Sequence, residues 1–412
     1  MVTKKNKILI VTNVQIKGNP ALWFICNALE TKYEISISGN ERESKTTITN
    51  NFKYQTHSGL YSLALKLKLF SAIKFFCQVR YFGNLLKREE IANVTLLKLR
   101  LFLQRAEFNI KAPKINCILN IDTEAAFISM PFSQKEQIPT IYFIYEFYAD
   151  QFLERKDRFY HHRVIIEKLS IQNADIILST VNEKAGDFLK QRYNSEAKVV
   201  SVTICPEKTF SDKIKINNPL KFYYHGYFFD NRGLADGILA MKELDGAELY
   251  LRGSGFLEKT LKKLVKENKL DKKVFFLDPV PTELLSMVGA EFDIGLTMSR
   301  QNVLNQKYAQ GFKAFENISA GLALIVPASP PLKQLIDEYK NGKNYSDATI
   351  EYLVPVFQYC LKNPEEVLTW KKNSQKAYQL EYNPEKQKSR LISEIEILLN
   401  NGKNGTTTAT SD

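Results

Sequence analysis

Residues 311–326, with the sequence GFKAFENISAGLALIV, decide the fold. The first part has the length and pattern of a short helix, and it stops at Gly321 because glycine is common just past the end of a helix. The apolar run Leu322–Val326 follows directly and is typical of a strand buried on both faces. The stretch therefore predicts a helix that leads into a parallel strand, as in α/β sheets.

The same alternation of short apolar runs and helix-length segments continues outward from this stretch in two series. The runs of the first series are 7–12, 115–119, 140–143, 175–179 and 199–204, and those of the second are 220–226, 248–251, 274–277, 293–296 and 322–326. Each series predicts one doubly wound parallel sheet. Ligands of such sheets bind beyond the carboxyl ends of the strands, so we expect functional residues there.

The chain of 412 residues is too long for one ordinary hydrophobic core and fits two domains. Residues 205–219 are polar, end in proline and have no usable period, so we place the linker there. We expect an N-terminal domain over 1–210 and a second domain over 211–383. A helix over 384–400 should pack back toward the N-terminal domain, and the polar tail 401–412 should be disordered.

Apolar residues make up 44% of the chain and charged residues 25%, which excludes disordered and collagen-like proteins. The formal net charge is +12, but residues 60–111 hold ten Lys or Arg against three Glu. This local concentration argues against a nucleic-acid-binding protein. Large apolar residues and cations mix in Leu60–Arg105, which fits either an interfacial helix on an anionic membrane or ordinary helices that cover the sheet.

The five cysteines are widely spaced, with no Cys-x-x-Cys pair and no nearby histidine, so neither a disulfide framework nor a zinc site is expected. The start of the chain has no secretory signal pattern, and no apolar stretch approaches the length of a membrane span. We expect a cytoplasmic protein. If Leu60–Arg105 is an interfacial segment, the protein would be peripheral on the inner face of the cell membrane.

Lys313 and Glu316 are three residues apart and therefore share one face of the predicted helix. A cation at a helix N-terminus can hold a diphosphate, and a carboxylate one turn later can accept hydrogen bonds from ribose hydroxyls. A surface Lys/Glu pair explains the same spacing. His225 ends a predicted strand, and by position alone it faces either a ligand or the interior.

The stretch nevertheless resembles the donor-binding helix of GT-B glycosyltransferases of the large retaining family 4, also described as glycosyl transferases group 1. One branch of that family reads Asn-Lys-x-Phe-Glu-Tyr-x-x-x-Gly-x-x-x-Val. The residues in register are Lys313, Phe315, Glu316 and Gly321, and Val326 lies one position after the Val of the pattern. The resemblance implies a GT-B fold, in which two Rossmann-like domains face each other across a cleft. The second domain would bind a nucleotide-sugar donor.

Three further segments resemble the family in the correct order, over about 110 residues in all. They are residues 224–234, 249–255 and 274–296. The resemblance implies that Arg232 and Lys313 stabilise the leaving diphosphate, that Glu316 holds the ribose, and that the backbone near Val280 meets the base. The other donor-binding residues that it implies are Gly226, Gly253, Ser254 and Phe315.

The N-terminal domain resembles the family more loosely and is expected to bind the acceptor. Residues 140–148 are similar to a segment that ends in Asp-x-His-Glu, with Glu146 in register and Tyr145 in the place of histidine. Gly18 and Asn19, in the loop after the first strand, are also expected on the acceptor side. The Tyr145 replacement leaves any catalytic role at that position open.

Two more tyrosines depart from the family pattern. Tyr308 replaces the first Glu of a Glu-x7-Glu motif, and Tyr227 replaces an Arg that grips the diphosphate in many relatives. The sequence has no Asp-x-Asp pair for a metal, so we expect activity without metal or cofactor.

The expected function is sugar transfer from a nucleotide-diphosphate sugar to a glycan or a lipid-linked acceptor, in surface polysaccharide or glycoconjugate synthesis. The stereochemistry implied by the family is retention. Two alternatives stay open: a nucleotide-sugar epimerase of the same fold, and a catalytically inactive glycosyltransferase-like subunit.

Overall fold

The computed structural model describes residues 5–12, 19–39, 53–56, 115–144, 147, 158–180, 182–210, 214–301, 306, 308 and 311–404. The chain divides into two compact units. The first unit comprises Met1–Val202 together with Lys388–Asp412, and the second comprises Thr203–Gln387.

The first unit contains a seven-stranded sheet in which every described strand pair is parallel. The strand order is β3-β2-β1-β4-β5-β6-β7. The strands are β1 Lys7–Thr12, β2 Glu34–Gly39, β3 Lys53–Thr56, β4 Cys117–Ile121, β5 Thr140–Ile144, β6 Ile176–Ser179 and β7 Lys198–Ser201. The central strands are rich in β-branched residues and fully buried, because helices cover both faces of a doubly wound sheet.

Among the described residues, four helices connect these strands, and a long C-terminal helix joins the same unit. They are α1 Pro20–Glu30, α2 Thr123–Lys135, α3 Arg158–Gln172, α4 Glu183–Tyr193 and α12 Pro384–Asn404. From Lys388 onward α12 belongs to the first unit, where Lys198 Nζ lies 2.5 Å from Glu394 Oε2 and Lys32 pairs with Glu396. Leu391 and Ile395 of α12 are buried. Apolar burial together with these ion pairs holds the helix on its unit.

The second unit contains a six-stranded parallel sheet of order β10-β9-β8-β11-β12-β13. Its strands are β8 Leu220–His225, β9 Ala247–Arg252, β10 Val274–Leu277, β11 Ile294–Leu296, β12 Ala323–Pro327 and β13 Gly342–Tyr345. The chain moves outward from β8 to β10 and then returns to the other side of β8. The sheet therefore has a topological switch point between β8 and β11, where ligands of such sheets bind.

In the described part of this unit, the helices around the second sheet are α5 Leu234–Ala240, α6 Glu258–Glu267, α7 Leu285–Gly289, α8 Phe312–Ser319, α9 Pro330–Tyr339, α10 Ile350–Lys362 and α11 Pro364–Leu380. A buried polar network fixes α11 to the sheet. Lys371 Nζ donates to the Phe292 carbonyl at 2.8 Å and lies 3.4 Å from Asp293 Oδ1. Because Asp293 also accepts from the amides of Asn217 and Lys221, its buried charge is well satisfied.

The units divide at Val202/Thr203, eight residues before the boundary at 210/211 that we place from the sequence. The reason is that the start of the expected linker packs on the second unit. Thr209 donates its amide and hydroxyl to the Ser319 carbonyl, each at 3.0 Å, and the Phe210 ring packs edge-on against Tyr378. Helix α12 runs through residues 401–404 of the expected tail, and residues 405–412 lie outside the described residues.

Cys26, Cys117, Cys205 and Cys360 are buried free thiols. Among the described residues, no helix combines the length and the apolar character that crossing a membrane requires. The segment Leu60–Arg105, which we consider as a candidate for binding an anionic membrane, lies outside the described residues.

Candidate functional site

The candidate site lies at the carboxyl ends of β8 and β9, where both loops meet α8. Gly226 follows β8 with a φ of +128°, and its amide donates to the Arg252 carbonyl at 3.0 Å. A Cβ at this position would lie 2.5 Å from Cε of Lys313. The φ favours glycine here, because other residues rarely adopt this backbone conformation, and the close approach shows that the Lys313 side chain lies against the backbone that leaves β8.

The loop after β9 packs directly on this backbone. Gly253 has a φ of +141°, and a Cβ there would lie 2.0 Å from the Gly226 carbonyl oxygen. The next residue, Ser254, is exposed, and its carbonyl accepts the Phe228 amide at 2.9 Å. Close approach of the two backbones thus explains why Gly253 is a glycine. The side chain of Ser254, in contrast, is open to solvent.

Two cations share the site. Lys313, in the first turn of α8, is partly buried, and its Nζ lies 5.8 Å from the centre of the Tyr224 ring. Burial and, next in size, the positive charge of Arg232 lower the pKa of Lys313 to about 8, against the opposing effect of the Glu316 carboxylate. The buried Nε of Arg232 has no hydrogen-bond partner within the described part of the chain. The site therefore holds more positive charge than the protein compensates, which favours an anionic ligand.

Glu316, one turn after Lys313, is already engaged by a histidine. Its Oε2 lies 2.6 Å from Nε2 of His225, the last residue of β8. Glu316 is 8% exposed and His225 is 2% exposed. Burial raises the pKa of Glu316, but the hydrogen bond and charge of His225, together with Lys313, outweigh it and hold the pKa below its usual value. The carboxylate is therefore ionised and fixed in place.

The structure brings together five residues that the sequence predicts for the donor site: Gly226, Arg232, Gly253, Lys313 and Glu316. The contact of His225 with Glu316 was not predicted. The two residues are 91 positions apart. Only the strand-end position of His225 signals it, and that position alone does not select a partner.

Three other residues of interest lie as follows. Phe315 is 2% exposed and packs against Tyr382 in a hydrophobic cluster, so the structure assigns it to the core rather than to a ligand surface. The reason is geometric, since Phe315 and Glu316 point to different faces of α8. Val280 is partly buried in the loop after β10, and its contact with a base stays a prediction. Tyr227 is 50% exposed and packs against Phe229 at a ring distance of 4.4 Å.

The residues expected on the acceptor side are only partly described. Gly18, Tyr145 and Glu146 lie outside the described residues. Asn19 is buried and caps helix α1, with its Oδ1 accepting the Leu22 amide at 3.0 Å. This cap explains the asparagine structurally, and a contact with an acceptor stays a prediction.

Within the described ranges, no three His, Cys, Asp or Glu side chains gather in a way that could hold a metal ion. Metal-independent activity stays a prediction.

Residues 206–377 match the family model of glycosyl transferases group 1. This match covers most of the second unit and agrees with the resemblance that the sequence motifs give. None of the curated protein sequences matches the chain.

Solved structures resemble the whole chain. Sucrose-phosphate synthase from Thermosynechococcus elongatus shares 14% identity at a TM-score of 0.66, with 96% of this chain and 100% of that chain covered. HepE from Anabaena, solved in complex with UDP, shares 12% identity at a TM-score of 0.68, with 95% and 100% covered. WaaG, a glycosyltransferase involved in lipopolysaccharide biosynthesis, shares 14% identity at 0.59, with 92% and 98% covered. These similarities confirm the predicted GT-B fold.

Proposed function

We propose that this protein transfers a sugar from a nucleoside-diphosphate sugar to a glycan or lipid-linked acceptor, a proposal supported by the match of residues 206–377 to the family model of glycosyl transferases group 1. The observation that carries the proposal is the convergence of Arg232, Lys313 and the His225-bound Glu316 at the switch point of the second sheet. Two poorly compensated cations fit a diphosphate, and a fixed carboxylate fits a ribose. Neighbours such as HepE, solved in complex with UDP, support UDP as the first nucleotide to test.

In the proposed reaction, the bond between the sugar and the diphosphate breaks and negative charge grows on the leaving phosphate. Arg232 and Lys313 stabilise this charge, and they accelerate the reaction because the charge is larger in the transition state than in the bound donor. Glu316 holds the ribose, so that the diphosphate stays against the two cations. The base lies against the backbone near Val280.

We propose retention of configuration, in keeping with the family that the motifs resemble. The leaving phosphate then takes the proton of the acceptor hydroxyl, so no separate base is needed. The acceptor binds the first unit, and the product enters surface polysaccharide or glycoconjugate synthesis. The reaction needs neither metal nor cofactor.

A thermal-shift screen against UDP-, GDP-, ADP- and CMP-sugars tests donor binding, followed by release of nucleoside diphosphate in the presence of candidate glycans. We expect one donor to raise the melting temperature, and we expect Lys313→Ala to reduce its turnover. Lys333→Ala is a matched control, because Lys333 is an exposed lysine on α9 that pairs with Asp337. Binding without transfer would indicate the inactive subunit, and an epimer formed from donor alone would indicate the epimerase. No response to any donor would contradict the proposal.

A further inference from the structure

His225 has features that a residue serving only to fill the interior would not need. Its side chain is almost fully buried, and its Nε2 lies 2.6 Å from Glu316 Oε2. An ionised carboxylate only accepts hydrogen bonds, so Nε2 must carry the proton. The other ring nitrogen, Nδ1, is buried and has no hydrogen-bond partner among the residues described. Leaving the buried Nδ1 without a hydrogen bond costs free energy, while Nε2 donates to the Glu316 carboxylate.

Aromatic stacking holds the imidazole in one plane. The His225 ring stacks on Tyr223 at a centroid distance of 5.3 Å and an angle of 29°. Tyr223 in turn stacks on Phe292 at 4.4 Å and 5°. On the backbone side, His225 pairs with Arg252 in the neighbouring strand β9. A donor fixed in this way can fix the orientation of the carboxylate that it binds.

The pair also keeps Glu316 apart from the neighbouring cation. Lys313 is one turn away on the same face of α8, where an unrestrained carboxylate would form an ion pair with it. In the described part of the chain the ion-pair partner of Glu316 is His225, and Lys313 forms no salt bridge with it. One carboxylate oxygen is thereby occupied by histidine, and Lys313 stays available for a ligand anion.

We propose that His225 is a positioning residue that sets the selectivity of this site for ribonucleotides, an inference that rests on the proposed function. By holding Oε2 of Glu316, His225 presents the carboxylate to the ribose hydroxyls and prevents its collapse onto Lys313. The pair therefore recognises a nucleoside diphosphate with a free 2′,3′-diol. The sequence motifs assign this role to Glu316 alone.

The test compares two substitutions, His225→Gln and His225→Leu. Glutamine keeps an N–H donor at about the reach of Nε2, whereas leucine removes the donor and keeps an apolar side chain. Calorimetry measures binding of whichever of UDP, GDP and ADP the wild type binds tightest, and binding of its 2′,3′-dideoxy analogue. The measured quantity is the ratio of the two dissociation constants, because a general loss of structure would weaken both ligands alike.

We expect the wild type to favour the ribonucleotide by about tenfold or more, since hydrogen bonds to a charged group are the strong ones. His225→Gln should keep this ratio within about threefold, and His225→Leu should bring it close to one. In a Glu316→Gln background, His225→Leu should change the ratio little further, because the two residues act as one unit. His161→Leu, at an exposed histidine of α3, serves as the control.

Three results would overturn the inference in distinguishable ways. If His225→Leu keeps the wild-type ratio, or weakens both ligands equally with a lower melting temperature, His225 has only a structural role and the proposed function stands. If the wild type does not distinguish the two ligands, Glu316 does not bind the ribose. If the wild type binds no nucleoside diphosphate, the proposed function fails together with the inference.

Discussion

Replacing Lys313 with methionine should make the protein more stable at neutral pH and a poorer enzyme. Burial and the charge of Arg232 lower the pKa of Lys313 from 10.5 to about 8, so the folded state disfavours the charged lysine that predominates at pH 7. Methionine keeps the apolar stem and removes the charge. Stability and ligand binding should therefore change in opposite directions.

The size of the stability gain follows from the shift in the pKa of Lys313. A fall from 10.5 to about 8 corresponds to a cost of about 3 kcal/mol for the charged form. Lys313 is partly exposed and water screens part of this interaction, so we expect a gain of about 1–2 kcal/mol in the free energy of unfolding. For a unit of this size, the melting temperature should rise by about 2–8 °C.

The pH dependence gives this prediction a distinctive signature. Below pH 8 Lys313 is charged in the folded and the unfolded protein, so the full cost is present. Between pH 8 and 10.5 the folded protein releases the proton first, and the cost shrinks as the pH rises. The advantage of Lys313→Met should therefore be full at pH 7 and clearly smaller at pH 9.5.

The assay is thermal unfolding at both pH values, combined with donor affinity and turnover. Loss of one charge-assisted contact should weaken donor binding by about tenfold or more, and turnover should fall further because the missing charge acts mainly in the transition state. Lys333→Met, at a lysine side chain that is 58% exposed, should change none of these quantities. An unchanged or lower melting temperature at pH 7, together with unchanged donor affinity, would refute the reasoning about Lys313.

Four further outcomes are expected. Affinity for a nucleoside diphosphate should fall as the pH rises above 8, by up to about tenfold per pH unit, as Lys313 loses its proton; an affinity that calorimetry finds constant above pH 8 would contradict this. Gly253→Ala should lower the free energy of unfolding by about 2–4 kcal/mol, because its Cβ would meet the Gly226 carbonyl oxygen. Gly246→Ala should cost less in the same urea titration, because Gly246 has a φ of +80° and open space around it. EDTA should leave transferase activity unchanged, and restoration of lost activity by Mg²⁺ or Mn²⁺ would reveal a metal site. In flotation with anionic vesicles at low salt, the protein should float if Leu60–Arg105 is interfacial, and a protein that stays at the bottom excludes that role.

The central strands were predictable from the sequence because burial on both faces leaves continuous apolar runs. The run 293–296 exceeds β11 by one residue, and the run 220–226 differs from β8 by one residue. Three strands were not predicted: the interior strand β2, in which polar and apolar residues alternate, and the edge strands β3 and β13, which are short and largely polar. None of these three strands contains a continuous apolar run, whereas the edge strand β10 was predicted because its sequence VFFL is entirely apolar.

The contacts of the candidate site also differ in whether the sequence could predict them. Residues that are close in sequence, such as Lys313 and Glu316, could be placed on one helix face from their spacing alone. The contact of His225 with Glu316 could not, because it depends on how the end of β8 meets α8 across the sheet. The low pKa of Lys313 also depends on that meeting, since Arg232 reaches it from the loop after β8.

The tyrosine at position 227 does not remove the charge that the proposed donor needs. Arg232 and Lys313 already share the site, and their mutual repulsion contributes to the lowered pKa of Lys313. A third cation beside them would raise that repulsion in the free protein and lower the charge of Lys313 further. Tyr227 instead packs its exposed ring on Phe229, and its carbonyl accepts the Tyr224 hydroxyl at 3.2 Å. A neutral contact therefore holds the backbone beside Gly226, and Arg232 and Lys313 are the two cations available to bind a diphosphate.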